Sequence, residues 1–66
     1  METRIINIYF KNRVEPLTAV VTAEVTIRFE EFIKSAKAHS YVLVDYRNEN
    51  IRHVVFADHI QYLTIS

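Results

Sequence analysis

Two neighbouring segments, Tyr41-Val-Leu-Val-Asp-Tyr46 and Ile51-Arg-His-Val-Val-Phe56, read as a strand pair without a polar face. A hairpin normally alternates, because one side packs on a core and the other meets water. Arg47-Asn-Glu-Asn50 between them is a run of turn-competent residues. The simplest register sets Tyr46 opposite Ile51 and Asp45 opposite Arg52, an opposite-charge cross-strand pair. Tyr41, Leu43, Val54 and Phe56 then share one face. Val42, Val44, Tyr46, Ile51 and Val55 share the other, with His53 beside Val44. Two apolar faces need two covers, and a chain this short supplies too little to make both. The expectation is a small homo-oligomer.

Length sharpens that expectation. The 66 residues make one domain, residues 1–66. A domain of this size buries only about 60% of its unfolded surface, so its stability is marginal without a staple or a partner. No cysteine is present, which removes disulfides and thiolate metal sites. Half the residues are hydrophobic, including four Phe and four Tyr, enough for a packed core. Association with copies of itself is the staple that remains.

The rest of the chain alternates in period and type. Ile6, Ile8 and Phe10 point one way, and Ile5, Asn7, Tyr9 and Lys11 the other, which predicts a half-buried strand. Asn12-Arg-Val-Glu-Pro16 connects it to a second strand. There Leu17, Ala19, Val21, Ala23 and Val25 alternate with Thr18, Val20, Thr22, Glu24 and Thr26. Pairing Asn12 with Leu17 sets Phe10 opposite Ala19, Ile8 opposite Val21 and Ile6 opposite Ala23, so the apolar faces coincide.

Thr26 is then the expected N-cap of a helix running to about His39. Phe29, Phe32, Ile33 and Ala36 form its core stripe. Glu30 and Glu31 sit early and Lys34 and Lys37 late, which suits the helix dipole and an i, i+4 pairing of Glu30 with Lys34. After the hairpin, Ala57-Asp-His59 reads as a short turn and Ile60 to Ile65 as a last strand. The order is ββαβββ. The predicted class is α+β, with one helix on a twisted, mainly antiparallel sheet able to curl toward a partial barrel.

Most enzyme chemistry is excluded by what is missing. Without any glycine there is no phosphate loop, dinucleotide fingerprint or nucleophile elbow, each of which needs positive φ or close backbone approach. Ser35, Ser40 and Ser66 have no elbow and no assigned base. His53 and His59 with Asp45 or Asp58 can be imagined as a metal site, yet no spacing puts two histidines on one face of one element. A chain this small has little room for a pocket of the usual ~300 Å³ or more. No catalytic residue, metal, cofactor or small-molecule substrate is predicted, and the chain is expected to be non-enzymatic.

Charge is balanced, eight Lys plus Arg against eight Asp plus Glu, so no global field draws in nucleic acid or an anionic membrane. The N-terminus lacks a signal-peptide layout, and no apolar run nears the ~20 residues that span a bilayer. A soluble cytoplasmic protein is expected. Basic residues do gather at the turns, Lys11 and Arg13 at the first and Arg47 and Arg52 at the second. One subunit offers too little charge for tight phosphate binding, but an assembly repeating these tips multiplies it. The alternative is that turns are simply polar and solvated, with Asp45 and Glu49 partly neutralising the second. Tyr41, Tyr46, Phe56 and Tyr62 give the leftover apolar face the aromatic enrichment of an interface core.

Three stretches carry a resemblance to a known family. Ile6-Asn-Ile-x-Phe10-x-Asn12-x-Val14, Phe29-x-x-Phe-Ile33-x-x-Ala36 and Arg52-x-Val-Val-x-x-Asp58-His59-Ile60 together look like the RemA-type bacterial regulators of matrix genes. The resemblance implies a ring of small subunits that binds DNA through arginines near the second hairpin. Only Arg47 and Arg52 can take that role here, because Asn48-Glu49-Asn50 stands where the family has a glycine and an arginine pair. The expected function is a homo-oligomeric binding or regulatory module, with DNA contact through the basic turns as its sharpest version. The alternative is a protein-interaction or inhibitor module that uses the aromatic hairpin face.

Overall fold

The computed structural model describes residues 2–35, 38–48 and 51–66. Strand β1 (Thr3–Phe10) is followed by β2 (Leu17–Thr22), helix α1 (Ala23–Ser35), β3 (Ser40–Val44) and β4 (Arg52–Phe56). A single 3₁₀ turn, Ala57–His59, leads into β5 (Ile60–Ile65). The α+β class and the ββαβββ order are as expected. The strands divide into an antiparallel three-stranded sheet, β2-β1-β5, and the two-stranded hairpin β3-β4, and they close no barrel. Among the described residues, no helix is long and apolar enough to cross a membrane. The expected helical residues Ala36 and Lys37, and turn residues Glu49 and Asn50, lie outside the described residues.

Ile6 and Ile8 of β1 and Ala19 and Val21 of β2 form the buried floor of the larger sheet. The two strands pair Ile8 with Leu17 and Ile6 with Ala19, four residues away from the predicted register. The connection is longer than expected because β1 continues past the start of β2 to pair with β5, Phe10 meeting Ile60. Side chains alternate with period two, so a shift of four leaves every residue on its expected face.

The helix starts one turn earlier than predicted. Ala23 and Val25 extend the β2 alternation, but Thr22 ends that strand and accepts the Val25 N–H at 3.3 Å on its Oγ1. That is the N-cap geometry, with the hydroxyl serving a donor in the first turn that lacks an intrahelical partner. Thr26 is already inside the helix and buried, its hydroxyl donating back to the Ala23 carbonyl at 2.6 Å. The i, i+4 ion pair on the helix joins Glu24 to Arg28 at 2.7 Å. Among the described residues, no ion pair joins Glu30 and Lys34.

The core is completed from three sides. Phe29 and Phe32 descend from α1, Leu43 and Val55 from the hairpin, onto the Ile6, Ile8, Ala19 and Val21 floor. The Tyr41 ring stands edge-on to Phe29 at 5.4 Å and lies 5.5 Å from Phe32. One short backbone bond, Tyr46 N–H to the Val20 carbonyl at 2.6 Å, ties the hairpin to the outer edge of β2. Phe29 is fully buried, so Phe29→Ala should cost about 3–5 kcal/mol in urea unfolding, enough to unfold a domain of this size. Thr22→Ala should cost about 1 kcal/mol, and Thr26→Val, which keeps the shape, should leave the helix start in place by amide exchange.

Candidate interaction surface

The hairpin register decides which apolar face is buried. Tyr41 pairs with Val55, Leu43 with His53 and Val44 with Arg52, one residue away from the predicted alignment. Tyr41, Leu43, His53 and Val55 therefore face inward, and Val42, Val44, Arg52, Val54 and Phe56 face outward. The expected grouping of Tyr41 and Leu43 with Val54 and Phe56 is corrected accordingly, as is that of His53 with Val44. A single-residue slip is enough, because it moves a strand's whole side-chain set to the other face.

The slip originates in Asp45, which is 4% exposed. Its carboxylate does not pair with Arg52, as expected, but with Arg47 two residues on. Oδ1 accepts the Arg47 backbone N–H at 2.9 Å and Nε at 3.1 Å, and Oδ2 accepts Nη2 at 2.7 Å. The Asp45 carbonyl accepts the Asn48 N–H at 3.1 Å, and the Asp45 N–H donates to Ile51 at 3.3 Å. The Asp45–Ile51 bond thus closes the hairpin, and five residues separate this closing pair in the sequence where four were predicted. The hydrogen bonds from the Arg47 side chain hold the Asp45 carboxyl at about 2, below its ordinary 3.8, and outweigh the opposing effect of burial. The same contacts push the Arg47 guanidinium up.

The outward face is left bare. Val42, Val44, Val54 and Phe56 are each between 40% and 55% exposed, and Tyr46 and Ile51 at the turn are similarly open. Beyond Phe56 a cleft of about 220 Å³ separates β4 from the β1–β2 loop, lined by Phe10, Asn12, Arg13, Val54, Phe56 and His59. The His59 ring lies 5.8 Å from that of Phe56, and the Arg13 guanidinium lies 5.4 Å from the Phe10 ring centroid. Tyr62 belongs to a different surface. It stacks on Tyr9 at 4.3 Å, across the outer face of the larger sheet, near the Thr18–Asn7 hydrogen bond.

The four basic candidates do not converge. Arg47 is bound to Asp45, and Arg52 projects from the turn end of the hairpin's outer face. Arg13 borders the opposite end, beside Phe56, and the neighbouring Lys11 donates its backbone N–H to the His59 carbonyl at 2.9 Å. At about 3.3 Å per residue, Arg52 and Phe56 are about 13 Å apart along β4, with apolar Val54 between them. Two small basic ends flank an apolar strip. Among the described residues, no three His, Asp or Glu side chains lie close enough to share a metal ion.

Tyr46 and Phe56, expected at an interface, are exposed, and Val54, expected beside Tyr41 and Leu43, instead faces outward with Val42 and Val44. Asp45-x-Arg47 was the available signal, since an aspartate often bonds the backbone two residues on and widens a turn. No family model, curated protein or solved structure matches the chain.

The Asp45–Arg47 contact should be visible in the pH dependence of stability. A lowered folded-state value means stabilisation that is complete above pH 4 and lost as pH falls toward 2. The loss amounts to about 2 kcal/mol at most, and Asp45→Asn should flatten the acid limb measured by urea titration. Arg47→Ala, which strands the buried carboxylate, should cost about 1–3 kcal/mol at pH 7.

Proposed function

We propose that this chain is a non-enzymatic, self-associating binding module whose principal contact is the outer face of the β3–β4 hairpin. The observation that carries the reading is the exposure of Val42, Val44, Val54 and Phe56 on one side of one hairpin. Contiguous apolar surface of this kind marks a contact site far more often than a solvated face. A second copy is the cover that a two-faced hairpin in a small domain calls for. The aromatic Phe56 at one end of the strip, with Tyr46 and Ile51 at its turn end, supplies the anchor character of interface cores.

The basic residues fit a subordinate role. Arg13 and Arg52 bracket the apolar strip and Arg47 is paired with Asp45, so these arginines do not gather into one basic patch for phosphates. DNA contact, which the basic turns offer through Lys11, Arg13, Arg47 and Arg52 and the resemblance to RemA-type regulators implies for Arg47 and Arg52, belongs to the assembled form. Its signature is an affinity that falls steeply with salt.

Light scattering coupled to size exclusion tests the main reading. Wild type should elute as a defined oligomer, and Phe56→Glu or Val54→Glu should weaken the assembly at least about tenfold while retaining the circular dichroism of the fold. Tyr62→Ala, on the far surface, should leave the mass unchanged. A wild-type monomer at high concentration overturns the reading.

A further inference from the structure

The larger sheet ends in an open edge. In the order β2-β1-β5, strand β5 has β1 on one side and no strand on the other. The β2 edge, by contrast, is engaged at the Val20 carbonyl by Tyr46. The ladder with β1 fixes which backbone groups of β5 are left over. Ile5 and Ser66 exchange both backbone bonds, at 3.2 and 2.9 Å. Bonded pairs alternate in an antiparallel ladder, so Asn7–Thr64 and Tyr9–Tyr62 are the next ones. Leu63 and Ile65 fall between, and their N–H and C=O groups point away from β1 to the open edge. Among the described residues, none of these four groups has a backbone partner.

Such an edge is a template for another strand, and proteins ordinarily blunt it with charge or proline. Ile60-Gln-Tyr-Leu-Thr-Ile65 carries neither. Its one register shift, opposite Tyr9 and Phe10, comes before Leu63 and leaves the far half regular. Strand β4, which also borders no third strand, is guarded by Arg52 and His53.

We propose that β5 of one copy pairs antiparallel with β5 of a second about a two-fold axis at Thr64, joining two three-stranded sheets into one of six strands. The free backbone groups choose both occupant and register. Centred on Thr64, Leu63 of each copy meets Ile65 of the other, and each such pair exchanges two bonds, so all the free groups of both edges are used. Thr64 meets its own counterpart as a non-hydrogen-bonded pair, the closer-spaced kind. Charge agrees with that axis. Glu30 and Lys34 sit one turn apart on α1 and border the groove beside Leu63 and Ile65. The axis runs the two helices antiparallel, so Glu30 of each copy faces toward Lys34 of the other and unlike charges oppose across the joint. The contact is isologous and closes at two copies. It is separate from the hairpin's outer face, which associates in its own way.

Thr64 is exposed and the chain has no cysteine, so Thr64→Cys is a single reporter that leaves the core alone. Under mild oxidation it should give a disulfide-linked dimer, because directly opposed residues bring their Cβ atoms close to disulfide reach. Gln61→Cys, exposed on the same strand but away from the axis, should not. Thr64→Lys and Thr64→Glu each set like charges opposite one another, and each should associate at least about threefold more weakly by sedimentation velocity. Mixed one to one, the two variants should associate more tightly than either alone, since the position faces itself. Cross-linking no better at 64 than at 61, or a mixture no tighter than its components, overturns the inference. The same set in Phe56→Glu separates the two contacts. A failed hairpin interface still leaves the Thr64→Cys dimer, and a failed β5 joint still leaves an assembly that Phe56→Glu dissociates.

Discussion

The bidentate contact between Asp45 and Arg47 sets the pattern on which the rest of the molecule depends. By fixing the turn end of β3 it selects the hairpin register, and the register selects which apolar residues enter the core. Leu43 and Val55 go in, and Val42, Val44, Val54 and Phe56 stay out. A buried carboxylate is costly unless it is fully bonded, and here three donors from one residue satisfy it. The same contact occupies one of the arginines otherwise free to bind a phosphate. Fold and surface chemistry are thus decided together at one turn.

That coupling explains what the amino-acid pattern disclosed and what it concealed. The β1 and β2 faces were legible because Ile6, Ile8, Ala19 and Val21 alternate strictly, and an even register shift leaves faces untouched. The Phe29–Phe32 spacing was legible for the same reason at helical period. The hairpin was not, because valines and isoleucines occupy both parities, so either alignment buries something apolar. In such a segment the turn decides, through a side-chain bond that periodicity does not encode. The helix start was hidden similarly. Thr22 and Thr26 are equally good caps by type, and the ladder with β1 ends at the Thr3–Thr22 pair, followed by one more bond from Ala23 N–H to the Glu2 carbonyl.

The candidate surface was half legible. An excess of apolar residues over what one helix can cover is a property of composition and length, visible without coordinates. Which residues carry the excess is a property of register. Tyr41, a plausible interface aromatic by type, turns inward to Phe29 and Phe32, while Val54 turns outward. Val14 carried no periodic signal at all, and only its near-complete exposure on a folded loop distinguishes it.

The seam between the two sheets gives association a further consequence. Among the described residues, the backbone hydrogen bond from the hairpin to β2 is the single Tyr46–Val20 bond. Strand β4 runs on through Ala57–His59 into β5, and the other contacts are side-chain packing of Leu43, Val55 and Tyr41 on the sheet floor and on Phe29 and Phe32. A hairpin held this way opens at lower free energy than the β2-β1-β5 sheet, where three strands share continuous ladders. A partner that binds only the closed hairpin shifts that opening equilibrium in proportion to its own concentration. Self-association through the outer face would therefore act on the inner face as well. A second copy covering the Val42, Val44, Val54 and Phe56 strip would add to the packing that already holds Leu43 and Val55 in the core of one subunit.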